Sequence, residues 1–139
     1  QIKGLVAEDQ KGISFGICEE LKNLGCEVVV VSSVGKAKEH TKNADLVILD
    51  LRLEDGNGSE IIKQMEAEKN CVPIVVMTAY SDLKDSLDKT RILYWLDKPF
   101  SIQHMRSVLH KAVEVAKDVL SINEEVTNLA NWNRTSLQK

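Results

Sequence analysis

Few of the residues that staple, kink or anchor a chain occur in this one. Its three cysteines, Cys18, Cys26 and Cys71, are odd in number and show no C-x-x-C spacing. That excludes a disulfide framework and a zinc site, and leaves small buried apolar residues as their expected role. Pro73 and Pro99 are the only prolines, and no Ser- or Pro-rich stretch divides the chain, so no flexible linker is expected. The longest unbroken hydrophobic run, Ile92 to Leu96, is far short of the roughly 20 residues a membrane span needs. Nothing at the N-terminus resembles a signal peptide, so the expectation is a soluble, cytoplasmic protein without a membrane partner. Basic charge is not concentrated either: 18 Lys and Arg stand against 21 Asp and Glu, for a net charge of -3. No block tracks a phosphate backbone, which argues against a direct nucleic-acid partner.

What is present is ordinary for one globular domain of 139 residues, 43% hydrophobic and 28% charged. A first residue of Gln1 rather than Met is expected of a fragment or a processed chain. Ile2 to Glu8 alternates into a short apolar strand, and Ile13, Ile17, Leu21 and Leu24 then share one helical face up to Gly25. The unit repeats. Four consecutive valines mark a second strand over Glu27 to Ser32, Lys36 to Lys42 reads as a short polar helix, and Leu46 to Leu49 as a third strand. Such continuous β-branched runs predict burial on both faces. A loop at Gly56-Asn57-Gly58 leads to a helix over Ser59 to Glu68, and Pro73 opens a fourth strand through Met77. Leu83 and Leu87 suggest a helix after Ser81, Ile92 to Leu96 a fifth strand, and a last helix follows Pro99. Strand-helix repeats with short loops imply a doubly wound α/β fold with a parallel sheet, right-handed crossovers and helices on both faces.

In such a sheet, ligands bind outside the carboxyl ends of the strands. Those ends carry Glu8-Asp9, Asp50, Thr78 and Lys98-Pro99. Converging carboxylates repel one another unless they share a proton or a hard cation with oxygen ligands, for which magnesium fits best. With a dication and the Lys98 ammonium present, the three negative charges of Glu8, Asp9 and Asp50 are balanced. An added phosphoryl group would then be shared by the metal, Lys98 and the Thr78 hydroxyl, and a carboxylate in this setting is a competent nucleophile toward phosphorus.

The set Glu8-Asp9, Asp50-Leu51-Arg52-Leu53 with Gly58, Thr78-Ala79 and Lys98-Pro99-Phe100 resembles the signature of the response regulator receiver domain of two-component signalling, over about residues 2 to 115. The resemblance implies a flavodoxin-like (βα)5 fold with strand order 2-1-3-4-5. It also implies that Asp50 is the phosphoacceptor, that Asp9 and Asp50 bind Mg²⁺ directly, that Glu8 assists through water, and that the Arg52 backbone carbonyl completes the protein ligands. Thr78 and Lys98 would hold the phosphoryl oxygens, with Thr78 and Trp95 as switch residues. Arg52 and Tyr80 would flank the path of the attacking water and tune dephosphorylation. The implied partner is a histidine kinase or phosphotransfer protein, and the domain would be a switch with no diffusible substrate to turn over. Departures from the family pattern are Glu54 where Pro is usual after the acceptor, and Thr90-Arg91-Ile92-Leu93 where Gly-Ala is usual before the fifth strand. They leave the loop after Asp50 and the fourth helix open to irregularity.

Rival readings fit less well. Gly12-Ile13-Ser14-Phe15-Gly16 matches a G-x-S-x-G elbow, but Ser14 falls inside the predicted first helix, and His104 and His110 lack an evident orienting acid. A haloacid-dehalogenase-like phosphatase also uses Asp, Thr, Lys and Mg²⁺, yet Asp50 lacks the second acid of D-x-D. A phosphorylation-independent interaction module remains the third alternative. His40, His104 and His110 show no metal spacing and read as surface residues, and the sequons at Asn57 and Asn133 are chance matches without a secretory signal.

Helical spacing continues well past the domain's needs. A receiver domain over residues 1–116 and a helical extension over 117–139 are expected, the extension serving as a coiled-coil linker and homodimer contact. Met105, Ala112, Val119 and Val126, with Val108, Val115, Ile122 and Leu129, form two interleaved series of seven-residue period, an a/d seam of about three and a half heptads.

Overall fold

The computed structural model describes residues 1–137, so the last two positions of the expected extension lie outside the described residues. Strands β1 (Lys3–Ala7), β2 (Glu27–Val31), β3 (Leu46–Asp50), β4 (Ile74–Thr78) and β5 (Tyr94–Asp97) form one sheet. They run in the order β2-β1-β3-β4-β5, all pairs parallel. Helices α1 (Lys11–Asn23), α2 (Val34–His40), α3 (Ser59–Ala67) and α4 (Ile102–Leu137) complete the fold. The two faces of the sheet follow from strand alternation. Val6, Ile48, Val75 and Met77 pack toward α1 and α4, with Ile17, Leu21, Leu109 and Val113. Leu5, Val47, Leu49 and Val76 pack toward α2 and α3, with Ala37, Ile61 and Met65. Every residue of β3 and β4 is buried. The two strands that carry Asp50 and Thr78 are therefore the most completely buried of the sheet.

The valine run is not buried on both faces as expected: β2 is an edge strand, and Val29 and Val30 are 42% and 43% exposed. Four valines in a row show β-propensity but not which strand lies outermost. The helix expected after Ser81 is instead a 3₁₀ segment over Ser81–Ser86 and a second over Lys89–Arg91. Asp88 helps to break it, because its carboxylate accepts from the Thr90 backbone N–H at 3.0 Å and hydroxyl at 2.6 Å, a local turn that competes with helix. The Arg91 guanidinium donates to the backbone carbonyls of Asn70 and Val72 at 2.9 and 2.8 Å, tying this loop to the start of β4. Strand β5 consequently begins at Tyr94 rather than Ile92. Of the cysteines only Cys26 is buried, whereas Cys18 is half-buried and Cys71 exposed.

A two-residue hairpin, Arg52–Leu53 with Gly56–Asn57, follows β3 and was not expected. Asp55 at its tip accepts from the N–H groups of Val34 and Gly35 at 2.6 and 3.0 Å, and Ser32 donates its hydroxyl to Glu54 at 3.0 Å. These backbone donors hold the Asp55 carboxyl below the usual carboxylate range, as a cap at the first turn of α2 should. The loop that lacks the usual proline is thus fixed from outside. Gly58 is required at its end: a Cβ there would run into the Asp50 carbonyl oxygen and touch Leu49 at 3.0 Å.

Helix α4 is continuous for 36 residues. Its first half belongs to the domain core, since Met105, Val108 and Ala112 are 7%, 7% and 0% exposed, and Leu120 still packs against the same cluster. The seam available to another chain is therefore shorter than the sequence pattern, and its exposed residues are Ile122, Val126 and Leu129.

Candidate functional site

Four of the five strands, all but β2, deliver a member of the site at their carboxyl ends. Glu8 follows β1, held by its N–H to the Val31 carbonyl at 3.0 Å. Asp50 ends β3, and its ladder partner Met77 places Thr78 at the neighbouring strand's end. Lys98 follows β5 and donates its N–H to the Thr78 carbonyl at 3.0 Å, ahead of a cis peptide bond to Pro99. Glu8, Asp50 and Thr78 are buried, while Asp9 is exposed.

The Lys98 ammonium joins them. It donates to Asp50 Oδ2 at 2.7 Å and to Glu8 Oε1 in a very short contact. A third acceptor, Gln10 Oε1 at 3.1 Å, was missed from sequence, although its position directly after Glu8-Asp9 marked it. The Gln10 N–H also donates to Glu8 Oε2 at 3.2 Å, so this residue ties the first loop to the ion pairs. Burial pushes the Glu8 carboxyl above its ordinary value despite the opposing Lys98 hydrogen bond. Burial also pulls on Lys98 in the direction of neutrality, but the hydrogen bonds to Asp50 and Glu8 outweigh it and the ammonium is held above its ordinary value. Both groups hold their protons more tightly than usual, Glu8 through burial and Lys98 through its carboxylate partners.

Glu8, Asp9 and Asp50 can each turn one carboxylate oxygen toward a common point, the three atoms lying within 4.8 Å of one another. All-oxygen, anionic donors of this kind suit Mg²⁺ rather than a softer metal. The open cleft beside them, of about 330 Å³, is lined by Asp9, Gln10, Asp50, Arg52, Ala79, Tyr80 and Lys98. Asp50 Oδ1 accepts from the Arg52 N–H at 3.1 Å, which orients the carboxylate. Arg52 is exposed, and its guanidinium stacks on the Tyr80 ring, 4.1 Å from the centroid, at the cleft wall. Thr78 Oγ1 accepts from the Tyr80 N–H at 3.0 Å, so the hydroxyl and the Tyr80 loop are linked. Trp95 lies one residue past the start of β5, half-buried, with the Lys84 ammonium 5.2 Å from its ring centroid and Lys84 also paired to Asp97.

The rival nucleophile is not assembled. Ser14 Oγ donates to the Lys11 carbonyl at 3.2 Å inside α1. An acid does accompany His110, contrary to the sequence reading: Glu20 on α1 lies 3.1 Å from its Nε2 and accepts from Arg106 at 3.1 Å. That cluster fastens α1 to α4.

The family model for the response regulator receiver domain matches residues 5–110. The transcriptional regulatory protein PdtaR of Mycobacterium tuberculosis is 31% identical over 134 residues, covering 91% of this chain and 63% of that protein. The response regulator ArlR of Staphylococcus haemolyticus is 33% identical over 129 residues, covering 86% of this chain and 57% of that protein. The chain therefore spans only part of the length of these relatives. Among solved structures, the response regulator TrrA of Thermotoga maritima, in complex with Mg²⁺ and beryllofluoride, superposes with a TM-score of 0.69 at 24% identity, covering 81% of this chain and 99% of that one.

Proposed function

The chain belongs to the response regulator receiver domain family, and from that premise we propose that it accepts one phosphoryl group on Asp50 in a Mg²⁺-dependent reaction. The observation that carries this reading is the Lys98 ammonium donating to Asp50 and Glu8 beside an open cleft that Asp9 also lines. One Asp50 oxygen bonds to phosphorus as the P–N bond of a phosphohistidine breaks and the imidazole leaves. Glu8, Asp9, Asp50 and the Arg52 carbonyl would hold the metal, which when bound supplies charge neutralisation for the phosphoryl oxygens. Lys98 moves its donor from the free carboxylate to the phosphoryl group, and the Thr78 hydroxyl turns from the Tyr80 N–H toward the same oxygens. Movement of Thr78 passes to the Tyr80 loop and to the Trp95 side of the sheet, which makes the pair a switch.

The partners of this reading are a histidine kinase or phosphotransfer protein and, through the exposed part of α4, a second copy of the chain. Of the two relatives, PdtaR bears the name of a transcriptional regulator. The domain catalyses only its own phosphorylation and dephosphorylation, which separates it from a phosphatase. Mg²⁺ with beryllofluoride is expected to raise the melting temperature by several degrees, by linkage to the folded state. Para-nitrophenyl phosphate should not be turned over. Steady phosphatase turnover, or a melting temperature indifferent to both ions, would contradict the reading.

A further inference from the structure

We propose that the exposed seam of α4 is covered by a second copy of this chain, in a parallel two-stranded coiled coil. The proposal deepens the self-association named above and does not depend on chemistry at Asp50. Successive residues of a helix turn by about 100°. On that wheel Met105, Val108, Leu109, Ala112, Val113 and Ala116, each 7% exposed or less, mark the face that packs on the sheet. Val119, Ile122, Val126, Leu129 and Asn133 centre about a quarter turn away. The domain therefore does not stand where a partner helix would lie. Ile122, Val126 and Leu129 are 58%, 60% and 63% exposed. A two-fold axis along the seam then places the two receiver bodies on opposite sides.

Orientation follows from the flanking residues. With Val119, Val126 and Asn133 at a, and Ile122 and Leu129 at d, the parallel pairing sets Asp118 near Asn123 and Glu125 near Ala130 of the other copy. No like charges meet, and Asn133 faces Asn133, a polar a layer that selects two strands in register. The antiparallel alignment that covers all four apolar residues instead brings Glu125 against Glu125 and sets Asn133 against Val115. Valine at a with Leu129 at d favours two strands, and the Asn133 layer decides against the trimer that Ile122 at d would favour.

Sedimentation of the full chain at about 100 μM should give a dimer. Ile122→Glu/Leu129→Glu should raise its dissociation constant at least about 100-fold, while Ser121→Glu on the outer face leaves it unchanged. Mild oxidation of Asn133→Cys, in a Cys18→Ser/Cys71→Ser background, should cross-link the chains in pairs. A monomeric wild type, a trimer, a dimer that survives the double substitution, or the absence of that cross-link would each overturn the proposal. Phosphate uptake followed on the same double variant keeps the two readings apart: its retention shows that the domain is folded. Its loss in the wild type would instead count against Asp50 chemistry and leave the pairing standing.

Discussion

Replacing Lys98 by methionine should cost the protein both stability and phosphate uptake. Lys98 is the shared donor to Glu8 and Asp50, whose side chains are 0% and 6% exposed. Its loss leaves buried carboxylates without a counter-charge, a change that costs about 3–5 kcal/mol when one partner of a buried pair is removed. Millimolar Mg²⁺ should restore much of that stability, because a dication drawn to the same oxygens replaces the missing charge. It should not restore reactivity. A donor aimed at the transferring group is worth roughly 10²–10³ in rate, so phosphate uptake should fall by about that factor even at saturating Mg²⁺. Denaturant unfolding with and without Mg²⁺ reads the first effect, and phosphorylation kinetics the second. A variant as stable and as reactive as the wild type would show that the Lys98 contacts are incidental.

The second large effect concerns the lifetime of the phosphoryl group. Arg52 and Tyr80 both line the cleft and are stacked on one another, so each fixes the other in place. Neither side chain has a carboxylate or amide that would orient a water, and together they are expected to narrow its approach to Asp50. The double variant Arg52→Asn/Tyr80→Ala opens the wall and supplies an amide, and its phosphoryl half-life should be shorter by about tenfold. Faster decay in the wild type than in the variant would refute the crowding.

The members of the site were readable because each terminates an apolar run: Glu8, Asp50, Thr78 and Lys98 are where four hydrophobic segments stop. Strand ends of a parallel sheet share one edge, so hydrophobic patterning alone was enough to bring these residues together. Contacts that depend on rotamers or on loops meeting across the chain were not readable in that way. Gln10 reaches Lys98 through a side-chain torsion, and Asp55 caps a helix that begins about twenty residues earlier in the chain. Leu83 and Leu87 have helical spacing, yet the turn at Asp88 and the Arg91 contacts favour 3₁₀ structure. The seven-residue repeat of α4 was real in spacing but divided in use, because a heptad drifts about 20° on a straight helix. More decisive is that α4 outruns the domain: Val108 and Val126 are five whole turns apart and point the same way, yet Val108 is buried against the core and Val126, beyond the last core contact at Leu120, is exposed.

The central claim is that Asp50 takes the phosphoryl group. Intact mass of the full chain after incubation with acetyl phosphate and Mg²⁺ tests it most directly, beside Asp50→Asn and a sample without metal. The expected result is a gain of one phosphate in the wild type alone, lost on chelation of Mg²⁺ before the reaction. An unchanged mass with Mg²⁺ demonstrably bound, or an equal gain in Asp50→Asn, would contradict it.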